Sequence, residues 1–328
     1  MKGLILSLAF VALPVSLVHA QTSAPLTLEA KIPLGEVHGR IDHLAVDLGR
    51  HRLFVAELEN DSVGIIDLNL GKVIHVITDA KGPQGLAYLK SSDTLYVANG
   101  GDGILRLFEG EAYGPTDVVQ LSGDADNIRV DAAAQKIYVA HGDGALAVID
   151  AASHAKIADI VLKSHPESFQ FDKRMDRIFI NEPRKQAITI VDRVSGRSTA
   201  TWKIGNASNF AMALNEERGH VLVVYRDPAK LVAFNQNSGA VAAKMDVCGD
   251  VDDIFMDTRR RRVYVSCGEG FVDVFDARGN YPRIGHIDTQ PGARTSLFVP
   301  ELDRFFVAAR ATPQEPAAVW VFRPEPAE

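Results

Sequence analysis

Seven short segments, spaced by about 42 residues, carry the side chains of this chain best suited to chemistry. They are Ile41-Asp42-His43-Leu44, Pro83-Gln84-Gly85-Leu86, Ala125-Asp126-Asn127-Ile128, Pro166-Glu167-Ser168-Phe169, Ala207-Ser208-Asn209-Phe210, Val251-Asp252-Asp253-Ile254 and Arg294-Thr295-Ser296-Leu297. Imidazole and carboxylate suit divalent metals, which points to His43, Asp126, His141 and Glu167 as candidate metal ligands. The same groups, with Asp42, Gln84, Asn127, Asn209, Asp252, Asp253 and Arg294, could instead hold an organic ligand through hydrogen bonds and ion pairs. A third reading gives the repeated Asp and Asn only the work of capping turns by accepting backbone N–H groups. All three readings remain open at the level of sequence. His165, before Pro166, reads as a loop residue further out. Ser168 and Ser296 stand in no Gly-x-Ser-x-Gly elbow, which argues against a serine hydrolase.

These segments recur because the chain is a repeat. Each is followed by a short turn and a second apolar run, among them Phe54-Val55-Ala56, Tyr96-Val97-Ala98, Tyr138-Val139-Ala140 and Phe306-Val307-Ala308. A third run such as Ile188-Thr189-Ile190-Val191-Asp192 and a fourth such as Lys72-Val73-Ile74-His75-Val76-Ile77 complete the unit. Short runs rich in Val, Ile, Tyr and Phe, bounded by Gly, Asn and Asp, are antiparallel strands. Four strands repeated seven times predict an all-β, seven-bladed β-propeller of four-stranded blades. The seventh repeat lacks a fourth strand, whereas Leu26 to Ile32 forms a spare strand before the first. Pairing it beside Trp320 would close the ring and hide two open edges. Residues 21–328 therefore read as one domain. In such a ring the lead-in segments and the ends of the second strands are expected to open on one axial face. The second-strand ends are Glu57, Asn99, His141, Glu182, Tyr225, Cys267 and Ala309. The run Arg259 to Arg262 falls at a first tight turn and is expected to be a solvated loop on the opposite face.

Composition narrows the partners. Residues 1–20 read as a secretory signal peptide: Lys2, an apolar stretch from Leu4 to Val18, then Val18-His19-Ala20 before Gln21. A periplasmic or secreted protein with no membrane span in its mature chain is expected. A net charge of −7 and an aromatic content of 7% argue against nucleic acid as a partner. Cys248 and Cys267 are the two cysteines, both in the sixth repeat, and in an oxidising compartment they are expected to pair. No Cys-x-x-Cys-His haem motif occurs, so no built-in cofactor is expected.

The block Leu95-Tyr96-Val97-Ala98-Asn99 resembles the Tyr-Val-Thr-Asn signature of the YVTN-type, YncE-like family of bacterial β-propellers. Variants recur at Ile137 to His141 and Val263 to Cys267. The resemblance implies a seven-bladed propeller exported to the periplasm. It carries no single shared reaction, and Tyr225 and Ala309 replace the terminal Asn of the signature in repeats five and seven. The expectation is an exported propeller that binds a small molecule or a periplasmic protein at the polar mouth of its channel. The alternative is a metal-assisted, lactonase-like lyase or hydrolase using the same face and a divalent ion.

Overall fold

The computed structural model describes residues 24–205 and 208–327. The signal peptide expected at 1–20 and Ala207 of the fifth lead-in lie outside the described residues. Among these, the chain forms seven four-stranded antiparallel sheets. Six blades are built from consecutive strands. The seventh orders Ser296–Val299, Arg304–Ala309 and Ala318–Pro324 outward, and the N-terminal strand Leu26–Pro33 takes the outermost place. Its register runs from Leu26 opposite Pro324 to Pro33 opposite Ala318, with Lys31 opposite Trp320. The closure expected from the spare strand is therefore present.

One detail shows that Leu26–Pro33 is a true fourth strand. In every blade the pairing of the third and fourth strands slips by one residue. The extra residue lies on the outer strand: Ile74, Thr116, Ile157, Thr199, Ala242 and Ile284 in blades one to six. In blade seven it is Glu29. A bulge bends and twists an outer strand, and so spoils its edge as a template for another chain. Glu29 also binds Arg304 at 2.5 Å and Arg323 at 3.0 Å, which holds the closing strand to its neighbours.

The core lies between blades as much as within them. Tyr96 and Leu105 of blade two pack in one cluster with Ile128 and Val139 of blade three. Each such side chain contributes about 1.5–3 kcal/mol through burial, so a blade is stable only beside its neighbours.

The face opposite the lead-ins is tied by a repeated device. The turn between first and second strands places a residue at positive φ in each blade, namely His51, Asp93, Gln135, Asp176, Gly219, Arg261 and Asp303. The last residue of the first strand caps that turn: Asp47 accepts from Gly49 N, Asp131 from Ala134 N, Asp172 from Arg174 N and Asp257 from Arg260 N. Arg50 bridges Asp47 to Asp93 of the next blade, and Arg260 bridges Asp257 to Asp303 in the same way. The expectation of a solvated arginine loop is corrected here. Arg260 and Arg262 are buried, and Arg262 donates to the backbone carbonyls of Pro25, Glu325 and Pro326. Planar, multiply donating guanidinium groups suit that work of clamping both chain ends.

Candidate functional site

The backbone explains why the lead-in side chains converge. In blades one, three and four the same ladder extends each first strand upstream. Asp42 N donates to Ala56 O, Asp126 N to Ala140 O and Glu167 N to Asn181 O. Equal backbone geometry in a closed ring aims equivalent side chains at one axis. They meet in a polar cavity of about 130 Å³ at the channel mouth. A second cavity of about 400 Å³ shares His43 with it and is lined also by Arg129, Gln170, Asp253 and Ser296.

The mouth has two unlike walls. On one, Arg226 binds Asp252 and lies 3.6 Å over the Phe210 ring. Arg294 binds Asp252 at 2.9 Å and Asp250 at 2.8 Å, and Arg40 reaches Asp42 at 3.4 Å. Every arginine of this wall has an acid partner. The other wall holds Gln84, Asp124, Asp126, Asn127, His165 and Glu167. Gln84 Nε2 donates to Asp124 at 3.2 Å. Among the described residues no donor hydrogen-bonds the carboxylates of Asp126 or Glu167.

His43 sits at the axis between the walls. Its Nδ1 is 3.4 Å from Asp253, and its Nε2 is 3.7 Å from Asp42 and 4.0 Å from Asp126. Burial opposes charge on this ring, but the charge and hydrogen bond of Asp253, with Asp42 and Asp126, prevail and raise its pKa to about 10. His43 is thus an imidazolium at neutral pH, the form that donates from both ring nitrogens to the surrounding carboxylates. Burial pushes Asp42 up to about 6 against the pull of His43. Burial likewise pushes Asp126 well above the usual carboxylate range, and raises Glu167. Burial disfavours the charged form of these acids, and at Asp42 and Asp126 the charge of His43 opposes that shift without cancelling it.

Of the residues singled out from sequence, Asp42, His43, Gln84, Asp126, Asn127, Glu167, Asp252 and Arg294 line the mouth. Asp253 faces the second cavity and accepts from Ser296 N at 2.8 Å. Asn209 is buried between blades, donating to Asn181 and to Ala187 O. The structure does not bring His141 to His43, Asp126 and Glu167. Its Nδ1 accepts from Ser122 N at 3.2 Å and from Ser122 Oγ at 2.8 Å, and its Nε2 donates to Asp159 at 3.0 Å. The expectation that second-strand ends open on the mouth is corrected by this and by two parallel cases. Glu182 accepts from Lys163 N and Ser164 N at 3.0 Å each, and Cys267 is disulfide-bonded to Cys248. In each case the second-strand end latches the linker that leads into its own blade, by imidazole, carboxylate or disulfide.

Sequence reasoning passed over Asp124 and Phe210, and the expectation of His165 as a loop residue further out is corrected, since it lines the mouth. Asp124 and His165 stand two residues before Asp126 and Glu167, the phase of Arg40 before Asp42 and of Asp250 before Asp252. Extending the repeat alignment two residues upstream was the signal that could have found them. His165 is buried, and its Nδ1–H donates to Gly142 O at 2.6 Å.

No family model matches the chain. It is 21% identical over 238 residues to an uncharacterized protein YncE of Salmonella typhimurium, covering 67% of each chain. A YncE protein of Salmonella typhi matches to the same extent. Among solved structures, hydrazine synthase of Kuenenia stuttgartiensis is similar over 90% of this chain and 96% of that one, with a TM-score of 0.71 and 15% sequence identity. That likeness shows the fold. Weak homology to YncE, together with seven four-stranded blades, is what the resemblance to YncE-like propellers implies. Among the described residues, no helix is long and apolar enough to cross a membrane.

Proposed function

We propose that this seven-bladed, YncE-like propeller is an exported binding protein that takes a small polar ligand at its channel mouth. One observation carries the reading: one wall has every arginine matched to an acid, while the facing wall offers Asp126 and Glu167 without a hydrogen-bond donor. Both carboxylates open on the cavity, where a ligand's donors can reach them. The complementary ligand is therefore rich in donors and cationic, such as a small amine or guanidine. A cavity of about 130 Å³ limits it to a few heavy atoms or to the end group of a larger molecule.

The test is a thermal-shift and calorimetric screen of small amines, guanidines, amino acids and organic acids. Cationic compounds should stabilise the wild type and lose affinity at least tenfold in Asp126→Asn and Glu167→Gln. Stabilisation by organic acids alone, unaffected by these changes, would sink the reading. The disulfide and the YncE homologues support export. Protein from a secreting host should begin at or within two residues of Gln21, and retention of residues 1–20 in soluble cytoplasmic protein would overturn it.

A metal-assisted lyase or hydrolase at the same mouth is the second reading. It is favoured by a set of metal-compatible donors on the acidic wall.

A further inference from the structure

We propose that Asp126, Glu167 and Nε2 of His165 form a three-ligand site for a divalent first-row cation, of the Zn²⁺ or Mn²⁺ class, between blades three and four. The site rests on the mouth being the binding face proposed above, and it differs from the set suggested by sequence, in which His43 and His141 stood in place of His165.

The donor atoms of these three residues lie within 4.8 Å of one another. Ligands about 2.0–2.2 Å from a tetrahedral ion are separated by about 3.3 Å, so side-chain rotation closing the trio by up to about 1.5 Å would seat one. The trio mixes one imidazole nitrogen with two carboxylates, which suits Zn²⁺ or Mn²⁺ better than the all-oxygen shell of Ca²⁺. Three protein ligands leave at least one position open toward the mouth.

An independent observation comes from His165 itself. Its side chain is only 8% exposed, yet its Nε2 has no hydrogen-bond partner, and the nearest acid oxygen, on Asp124, is 3.7 Å away. The other ring nitrogen donates to Gly142 O at 2.6 Å. A backbone carbonyl on Nδ1–H is the outer contact that fixes the tautomer of a metal-bound histidine and points Nε2 at the ion. Without a cation there, Nε2 stands among carboxylates with no hydrogen bond to any of them. Among the described residues, the arginines of the other wall form ion pairs with Asp42, Asp250 and Asp252 and none with Asp126 or Glu167. Glu167 has no basic side chain within 4.0 Å among the described residues, and Asp126 has only His43, at 4.0 Å.

The experiment uses the exported protein purified without chelating resin. Bound metal is measured as isolated, then removed with EDTA, and Zn²⁺ and Mn²⁺ are titrated back by calorimetry. One equivalent should bind. His165→Gln, Asp126→Asn and Glu167→Gln should each weaken it at least tenfold, while His154→Gln, on the outer rim, should leave it unchanged. Pulsed EPR of the Cu²⁺-loaded protein should show coupling to one imidazole nitrogen that His165→Gln removes. Circular dichroism melts identify any variant that fails to fold, and the remaining two then carry the test.

Failure to bind a stoichiometric ion would overturn the site. So would binding that survives all three changes, or a nitrogen signal that persists without His165, whose imidazole would then serve only as an ion-pair partner of the acids. If amines fail to bind but one equivalent of metal does, the ligand class proposed above is wrong and the metal site stands. Amine binding without metal binding sinks the site alone.

Discussion

His43 and His141 show how one residue type does different work in the same ring. His43 is surrounded by Asp42, Asp126 and Asp253 and is held as a cation, with its pKa raised to about 10. In EDTA-treated protein its imidazole NMR resonances should titrate near pH 10, and a midpoint near 6.5 would refute the ion cage. A raised folded pKa makes its contribution to stability full below pH about 6.5, the unfolded value. That contribution should be lost as pH rises through about 10. His141 is a latch, its Nδ1 accepting from Ser122 N. Replacing it by Ala leaves Ser122 without its acceptor, while Asp159 keeps Lys156 at 2.8 Å, and should cost about 1–2 kcal/mol in denaturant unfolding. Loss of metal or ligand affinity without loss of stability would show that His141 belongs to the mouth.

At the scale of elements, the linkers between blades are where this fold needs covalent or polar anchoring. A linker has no sheet partner of its own, so a single latch at the second-strand end sets where the next lead-in begins. The Cys248–Cys267 bond is the strongest of these, spanning 19 residues with its Cα atoms 5.8 Å apart. Closing such a loop contributes about 3 kcal/mol in the chain-entropy model. Reduction, or Cys248→Ala with Cys267→Ala, should lower unfolding free energy by about that amount while the blades persist. An unchanged denaturation midpoint after complete reduction would show that the linker is held by packing alone.

Ring closure belongs to the whole molecule. Leu26–Pro33 fills the outer place of blade seven, and the buried Arg262 clamps the carbonyls at both chain ends. Deleting Leu26 to Ile32 should expose the edge of Ala318–Pro324 and sharply reduce solubility and melting temperature. Arg262→Ala should cost about 2–4 kcal/mol, since three carbonyls lose a charged donor together. Truncated protein that melts like the parent would mean the ring does not depend on this closure.

The fold was legible because strands, turns and the missing fourth strand repeat with one period, and period alone fixes which residues share a position. Tyr96-Val97-Ala98-Asn99 and its variants fall where that period requires, and so do the lead-ins carrying Asp42, Asp126, Glu167 and Asp252. Tertiary structure decided which equivalent positions keep equivalent roles. Alignment placed His141 beside the lead-ins, but the twist of the blade turns the second-strand end toward the linker, where imidazole, carboxylate and disulfide do the same work. Alignment also treated Arg260 and Arg262 as solvated, whereas their carbonyl and carboxylate partners come from strands and chain ends up to 237 residues distant. His165 and Asp124 reach the mouth only because adjacent blades bring the residues upstream of their lead-ins to the same axis. Periodicity in sequence reports which backbone positions are alike; only the packed ring fixes which groups from different blades stand within bonding distance.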